Sequence, residues 1–285
     1  MSDKAPAWVV PVMRAGYSAR GVVYTVVGGL ALLAAVQGNP AQGTTDALAD
    51  LRAMPWGFAA LWAIAVGLWA YTAWRLIDAF MDLEDYGHDV KGMLARAGLV
   101  ITGLIHATIG LSVATTAIGG SASGGGTQSA TQKLMALPYG PVLVGLVGIA
   151  TVGAGIYYAY KGYAETYKDH IRVTPTARKL DPVMKFGCIA EGAVVTIIGT
   201  LILIAAWRTD PAQAGGVGEA LGEIRSVAYG RILLGVVALG LIGFAVENFV
   251  EAAYRIVPRR AGRDVMTLAH RAKLKAQGKL RQATA

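Results

Sequence analysis

Residues 14–24 read RAGYSARGVVY, and two later stretches repeat the pattern: residues 96–106 read RAGLVITGLIH, and residues 185–195 read KFGCIAEGAVV. Each copy opens a long apolar stretch, and a second apolar stretch follows about 40 residues later. One basic residue and three glycines recur at matching places. They are Arg14, Arg96 and Lys185; Gly16, Gly98 and Gly187; Gly21, Gly103 and Gly192; and Gly28, Gly110 and Gly199. A unit of two apolar stretches written three times predicts three helix pairs.

The amino-acid composition is typical of a membrane protein. Hydrophobic residues make up 54% of the 285 residues and charged residues only 15%, whereas a soluble domain carries about 25% charged residues. The mean hydropathy is +0.48. Six apolar runs approach the length of about 20 residues that crosses the hydrocarbon core. They cover about 17–37, 56–77, 96–118, 139–161, 185–207 and 229–251. The sequence predicts an all-α polytopic membrane protein with six transmembrane helices.

The basic residues predict the orientation. With a cytoplasmic N-terminus, 21 of the 26 Lys and Arg residues fall in cytoplasmic segments and 5 outside, as the positive-inside rule requires. We therefore expect both termini on the cytoplasmic side of the membrane. The same rule accounts for the net charge of +8, so no nucleic-acid partner is predicted. The only cysteine, Cys188, excludes an intrachain disulfide and a cysteine-based metal site.

The repeats share one direction. Each contains two spans, so every copy enters the membrane from the same side, unlike the copies of inverted-repeat transporters. The predicted fold is three parallel repeats of a helix hairpin, at about 14–80, 96–163 and 185–255, within a single membrane domain 1–255. A basic cytoplasmic tail, 256–285, follows. A pseudo-threefold bundle and a row of helix pairs both satisfy this pattern.

The three loops on the predicted outer side resemble one another. Each begins with small, Gly-rich residues and continues with an alternating apolar and polar piece, which predicts a short amphipathic helix. An aromatic residue and a glycine then open the second span of each repeat. These pairs are Trp56-Gly57, Tyr139-Gly140 and Tyr229-Gly230.

The pattern Arg-x-Gly-Tyr-x-Ala-Arg-Gly-x-x-Tyr at 14–24 resembles the signature of a bacterial family known as domain of unknown function 1206, in which a two-helix unit occurs three times. The first copy carries the resemblance best, with Pro55, Gly57 and Tyr71 among the matching residues. The other copies are looser, because Thr102 and Glu191 replace the second arginine, and His106 and Val195 replace the last tyrosine. The resemblance covers the chain to about residue 255. It implies an inner-membrane protein of six helices and implies no activity.

Arg20, Thr102 and Glu191 occupy the same position in the three repeats. Charged groups inside a membrane are costly and usually pair or face a cavity. Around a common axis, Arg20 and Glu191 could form an ion pair to which Thr102 donates a hydrogen bond. Such a pair would lock the first and third repeats together, which is the favoured interpretation; the alternatives are a polar station in a conduction path, or an Arg20 that snorkels to the headgroups.

His106 and Glu247 are the other polar candidates within the spans. His106 could act in proton transfer, although a hydrogen bond to a neighbouring threonine or carbonyl is the favoured interpretation. A haem with two histidine ligands is not expected, because the other histidines lie in predicted cytoplasmic segments. Glu247 and Glu251 share a helix face and are expected to neutralise Arg75 or Lys161; cation binding or proton relay is the alternative. Arg75 is also expected to pair with Asp78.

Small residues recur every fourth position in the first spans. Examples are Gly21, Thr25 and Gly29, and then Gly192, Thr196 and Thr200. Such tracks let membrane helices pack closely. We expect the first helix of each repeat to form an inner ring, with Gly21, Gly28, Gly103, Gly110, Gly192 and Gly199 as packing positions. A leucine at Gly21 or Gly192 is expected to disrupt the fold.

No catalytic, cofactor or metal-binding motif is recognisable in the sequence. The glycine-rich stretch at 121–129 lacks the lysine of a phosphate-binding loop and is expected to be a flexible outer loop. The basic 255–285 segment predicts either an amphipathic helix on anionic lipids or a disordered tail.

Three function classes remain. A structural, accessory or membrane-organising protein with a membrane-protein partner accounts best for the close packing and the missing motifs. A small channel or transporter with a polar station at Arg20, His106 and Glu191 comes second. An enzyme comes last, and no cofactor is expected.

Overall fold

The computed structural model describes residues 6–38, 49–119, 127–258, 267–270 and 273. Six long helices are each long and apolar enough to cross a membrane, so the prediction of an all-α, six-span membrane protein is confirmed. They are α1 (Val9–Gln37), α2 (Gly57–Met81), α3 (Val90–Ala117), α5 (Gly140–Tyr163), α6 (Pro175–Arg208) and α8 (Gly230–Tyr254). The shorter elements are α4 (Thr127–Met135), α7 (Val217–Ser226) and two 3₁₀ turns, Thr166–His170 and Pro211–Gln213.

The first helix of each repeat starts earlier than its apolar run. Helix α3 begins after Asp89, whose side chain accepts a hydrogen bond from the Gly92 N–H, and α6 begins after Thr174, whose hydroxyl accepts one from the Ala177 N–H. These N-caps satisfy N–H groups that a helix start leaves unpaired, so the polar turns remain helical. We call the end of the bundle at which α1, α3 and α6 begin the basal end; it is the end predicted to face the cytoplasm.

The second helices begin at the predicted aromatic–glycine pairs. A Cβ at Gly57, Gly140 or Gly230 would come within 2.1, 2.3 or 2.0 Å of a carbonyl oxygen five or six residues earlier in the chain. Only glycine therefore allows the tight turn that leads into each second helix from the loop opposite the basal end. Two of the expected short amphipathic helices are α4 and α7, and a helical turn at 49–52 stands at the corresponding place in the first repeat.

The repeats are joined by glycines of each first helix that face the second helix of the preceding repeat. In α1, Gly21 and Gly28 lie against Phe249 and Ile242 of α8. The equivalent contacts join α3 to α2 through Gly103 and Gly110, and α6 to α5 through Gly192 and Gly199. Each joint is antiparallel, so the three first helices run in the same direction. They alternate with the second helices around the bundle and do not form the inner ring of their own that the sequence suggested.

The ring of helices is open within the second repeat. Going round the bundle, the packed order is α3, α2, α1, α8, α6 and α5, and α3 and α5 make no comparable contact with each other. The glycines that open the repeats show the difference. A Cβ at Gly16 would lie 2.5 Å from Tyr71, and one at Gly187 would lie 2.2 Å from Phe244, whereas one at Gly98 would meet no described atom within 4 Å. We call this gap between α3 and α5 the open second hairpin.

Side-chain size explains why this hairpin alone is open. In the first and third repeats, alanine packs on glycine: Ala19 on Gly67, and Ala190 on Gly240. In the second repeat the same positions hold Ile101 and Ala150, which are too large for that close approach. The aromatic residues Tyr71 and Phe244, which cover the opening glycines, correspond to Ala154 in α5. The pseudo-threefold pattern is therefore broken by the sequence itself.

Candidate functional site

A cavity of about 90 Å³ lies inside the ring of helices. We call it the central chamber, and its polar side chains are Arg20 and Tyr24 of α1, His106 of α3 and Glu191 of α6. The rest of its wall is aliphatic and comes from all six long helices except α5, with Val217 of α7. Equivalent positions of the repeats line it, so the first helices supply most of the chamber even though they do not pack on one another.

Arg20 is held at the chamber by aromatic residues. Arg20 is only 4% exposed, and its Nη1 donates a hydrogen bond of 2.9 Å to the hydroxyl of Tyr71. The guanidinium carbon lies 4.8 Å from the centre of the Tyr71 ring and 5.5 Å from that of Phe244, in cation–π geometry. Its Nε–H has no partner among the described residues. One donor of a buried, charged group is thus left unused.

Glu191 lies on the other side of the same chamber and is also 4% exposed. Its carboxylate accepts a hydrogen bond from the hydroxyl of Tyr24. The predicted ion pair with Arg20 is wrong, since the two groups are not within 4.0 Å. The reason is that Tyr71 holds the guanidinium while Tyr24 holds the carboxylate. The two charges therefore share a chamber without touching.

Of Thr102 and His106 in the second repeat, His106 lines the chamber and Thr102 does not. The hydroxyl of Thr102 donates to the carbonyl of Gly98 at 2.8 Å, so the predicted bond from Thr102 to the Arg20 and Glu191 pair does not form. His106 Nδ1 lies 2.8 Å from the carbonyl oxygen of Thr102, and only a protonated Nδ1 can donate to that oxygen. The neutral ring then has Nε2 as a free acceptor. The ring also lies 4.6 Å from that of Tyr71.

A network of charged side chains lies between the chamber and the basal end. It begins at the Tyr71 hydroxyl, which accepts a second hydrogen bond, of 2.8 Å, from Nε of Arg75. Arg75 lies 3.8 Å from Asp78, as expected, and 4.0 Å from Glu84. Glu84, in the connection from α2 to α3, is bound in turn by Arg255 at the end of α8. We call this set of side chains, with Glu251, Lys161 and Glu247, the basal network.

Helices α5 and α8 complete the basal network. Arg255 lies 2.5 Å from Glu251, and Lys161 lies 2.6 Å from Glu247 and 3.9 Å from Glu251. The sequence analysis offered Arg75 or Lys161 as the partner of Glu247, and the structure shows Lys161. Arg255 was assigned to the lipid-binding tail, and this assignment is wrong, because its side chain is buried between two carboxylates. The rest of that tail, apart from 256–258, 267–270 and 273, lies outside the described residues, as do 121–126 of the glycine-rich stretch. Its last residues, 127–129, begin helix α4 and are not the loop that was expected.

The electrostatics outside the spans centre on Glu84. Burial alone would raise the pKa of this carboxyl group, but the guanidinium of Arg255, with smaller contributions from His170 and Arg75, lowers it below its usual range. Burial works in the opposite sense on Arg255 and would lower its pKa, yet Glu251 and Glu84 raise the pKa of that guanidinium above its usual value. Glu84 and Arg255 are therefore both charged at neutral pH. Their ion pair links the connection between α2 and α3 to the end of α8.

Sequence reasoning missed Glu84 and the role of Arg255. Both lie just outside apolar runs, where charged residues are usual, and 171 positions separate them. No periodicity links them. Among the residues that the structure describes, no group of three His, Cys, Asp or Glu side chains is placed to hold a metal ion.

Comparison with known proteins places the chain in a family. The model of the Domain of Unknown Function (DUF1206) matches three times, over residues 15–82, 97–165 and 186–255. The uncharacterized protein YxxB of Bacillus subtilis (strain 168) is 26% identical over 259 residues, which make up 90% of this chain and 94% of that protein. No solved structure matches the chain. The three matches coincide with the three helix hairpins, and this chain therefore belongs to the DUF1206 family.

Proposed function

We propose that this protein binds a small amphiphile, which reaches the central chamber sideways from the bilayer through the open second hairpin. The protein would act as a carrier or receptor for that molecule, which is the transport class rather than the enzyme class. The observation that carries the proposal is the unused N–H of the buried Arg20 inside a chamber beside a gap between membrane helices. The two termini are taken to face the cytoplasm.

The exposure of the chamber wall supports entry from the side. Arg20, Glu191 and Val194 are buried, whereas His106 and Ile109 of α3 and Val195 and Ile198 of α6 are half-buried. Val23 and Tyr24 of α1 and Val217 of α7 are half-buried as well, but α3 and α6 are the wall helices next to the open second hairpin, since α5 packs behind α6. The wall is therefore incompletely covered on the side of the gap. An apolar chain can lie in the gap while its polar end reaches Arg20.

The size and chemistry of the chamber limit the head group. A cavity of about 150 Å³ holds one benzene molecule, so the 90 Å³ of the chamber suit a compact group such as a carboxylate. Arg20 offers an N–H donor to such a group, whereas the Nε2 acceptor of His106 gives it no hydrogen bond, because an ionised carboxylate has no proton to donate. The aliphatic wall suits the first carbons of an alkyl chain. A single-chain amphiphile with a compact head group that accepts hydrogen bonds fits these features.

Binding of a radiolabelled long-chain fatty acid to the protein in nanodiscs tests this proposal. Arg20→Met keeps the length of the side chain but removes its charge and its donors. A hydrogen bond from a charged group contributes about 1.5–3 kcal/mol, so we expect binding to weaken roughly 10- to 100-fold. Arg14→Met, an exposed position of the same helix, is the matched control and should bind as wild type. Equal binding by both variants would exclude the chamber as the site.

Closing the second hairpin should also abolish access. Ile101→Ala combined with Ala150→Gly gives the second repeat the small residues with which the other two repeats close. We expect α5 to move onto α3 and the rate of fatty-acid binding to fall at least about tenfold, while a fold of the same helix content persists. A cross-link between Gly98→Cys and Ala154→Cys should form in the closed variant only. Leu104→Ala with Ile149→Ala, two exposed positions of the same helices, is the control, and an unchanged rate in the closed variant would argue against entry at this gap.

A role as a subunit of a membrane assembly is the second candidate. A Cβ added at Gly98 or Gly153 would meet no described atom within 4 Å. Two alanines of α5, Ala150 and Ala154, are also exposed. Small residues on a membrane helix are the usual contact surface for another helix. A partner helix could therefore occupy the open second hairpin instead of a lipid chain. Purification from native membranes in mild detergent separates the two, because a stoichiometric protein partner would favour the assembly and a bound amphiphile the carrier.

A further inference from the structure

One buried carboxyl group differs from the others in having no cationic partner. Within the described parts of the six long helices, four carboxyl groups are buried, namely Asp78, Glu191, Glu247 and Glu251. Three of them have a basic nitrogen within 4.0 Å: Asp78 from Arg75 at 3.8 Å, Glu247 from Lys161 at 2.6 Å, and Glu251 from Arg255 at 2.5 Å. Glu191 has no described basic nitrogen within that distance, so its charge is not neutralised by contact.

The only described hydrogen-bond donor to the Glu191 carboxyl group is neutral. It is the hydroxyl of Tyr24, while the guanidinium of Arg20, on the same chamber, is turned towards Tyr71 and Phe244. An ionised carboxylate that is buried without a counter-ion is strongly unfavourable, and such a group takes up a proton instead. The geometry therefore favours a protonated Glu191.

Titratable groups on five helices surround Glu191. They are Arg20 and Tyr24 of α1, His106 of α3, Tyr158 of α5, Cys188 of α6 itself and Glu247 of α8. Glu247 is a second negative charge and favours the protonated state. The hydrogen bond from Tyr24 and the positive charge of Arg20 oppose it, although the guanidinium of Arg20 is bound to Tyr71. A positive charge on His106 is disfavoured by the apolar wall and by the nearby guanidinium of Arg20, so its ring adds no charge.

We propose that Glu191 is the proton-binding group of the central chamber and that its protonation admits a compact, monoanionic head group to Arg20. The second half of this inference rests on the proposed function; the first half does not. When Glu191 is ionised, its charge cancels that of Arg20 and the chamber is neutral. When Glu191 is protonated, the chamber carries one positive charge and attracts one anion. The anion and the proton then enter together, without net charge.

Infrared spectroscopy tests the proton without any ligand. We expect a carbonyl stretching band of a protonated carboxyl group in the purified protein at neutral pH, and we expect Glu191→Gln to lose it. Glu223→Gln changes an exposed carboxylate of α7 and should keep the band. If the band is absent from the wild type, or is as strong in Glu191→Gln as in the wild type, Glu191 does not hold the proton; a weaker residual band would come from another buried carboxyl group, such as Asp78.

Binding of a fluorescent alkyl sulfonate tests the coupling, because a sulfonate stays anionic at every pH used. Wild-type affinity should fall about tenfold for each pH unit above the midpoint of Glu191 titration, as linkage of one proton to one anion requires. Glu191→Gln is permanently neutral and should bind with the affinity of the protonated wild type at all pH values. If Glu191→Gln keeps the wild-type pH dependence, the proton coupling is wrong although the site stands. If Arg20→Met binds as wild type at acidic pH, the proposed function itself fails.

Discussion

Gly187→Leu is expected to destabilise the bundle by about 3 kcal/mol or to prevent folding, whereas Gly98→Leu should leave stability close to wild type. The two glycines hold the same position in the third and the second repeat. A Cβ at Gly187 would lie 2.2 Å from the backbone nitrogen of Phe244, and one at Gly98 would meet no described atom within 4 Å. Overpacking of a tight contact costs about 1–3 kcal/mol or more, and backbone atoms cannot move aside as a side-chain tip can.

The pair of variants measures the open second hairpin directly. Unfolding of each variant in mixed micelles, followed by circular dichroism as a denaturing detergent is added, gives the change in stability. Gly16→Leu in the first repeat should behave as Gly187→Leu does, because its Cβ would lie 2.5 Å from Tyr71. Equal destabilisation by Gly98→Leu and Gly187→Leu would mean that the second hairpin packs like the other two.

The sequence allowed the six helices and the three repeats to be predicted, because both depend on local composition, whereas the orientation towards the cytoplasm stays a prediction. Six apolar runs and the distribution of Lys and Arg are properties of single segments. The glycines at 21, 103 and 192 marked a packing surface for the same reason. The helix that each glycine contacts could not be predicted from the sequence, since any neighbouring helix offers an apolar face. The alternating arrangement is visible only once the antiparallel register is known.

The opening of the second repeat shows a different limit. The sequence itself shows that three residues of the second repeat differ in size from the residues at the same positions of the first and third repeats. They are Ile101, Ala150 and Ala154. Their meaning depends on which residues face each other across a hairpin, and that register is set by the turns at the glycines that begin the second helices. Once the register is known, the substitutions explain the gap without any further assumption.

The candidate site was half predictable. The repeat placed Arg20 and Glu191 at one depth, and both do line one chamber. The ion pair between them was wrong, because aromatic hydroxyl groups compete for both charges. Tyr24 and Tyr71 stand out in the sequence only as matching residues of the family pattern. Nothing in that pattern indicates that their hydroxyl groups bind Glu191 and Arg20. Competition among several partners for one charge is a three-dimensional property that spacing along a chain does not encode.

Arg255→Met is expected to cost about 3–5 kcal/mol, the usual penalty for removing one partner of a buried ion pair. The guanidinium of Arg255 binds Glu84, which follows α2, and lies 2.5 Å from Glu251 of α8. Without it, two buried carboxylates lose their strongest partner, and the first and third repeats lose a link at the basal end. Arg178→Met, which changes an exposed arginine near the start of α6, is the control and should change stability by less than about 0.5 kcal/mol.

The pH dependence of stability separates this ion pair from simple packing by the arginine side chain. In the wild type the pKa of Glu84 lies below its usual value of 4.5, mainly through Arg255 acting against the effect of burial. This contribution to stability is therefore complete above about pH 4.5 and is lost as the pH falls through the lowered value. In Arg255→Met burial outweighs the remaining attraction, the pKa of Glu84 rises, and acidification relieves a buried charge. Between pH 7 and about 4.5 the wild type should therefore keep this contribution, while the variant gains stability as Glu84 takes up a proton, so that the difference in unfolding free energy between them shrinks. A difference that stays constant with pH would show that Arg255 stabilises the bundle by packing alone.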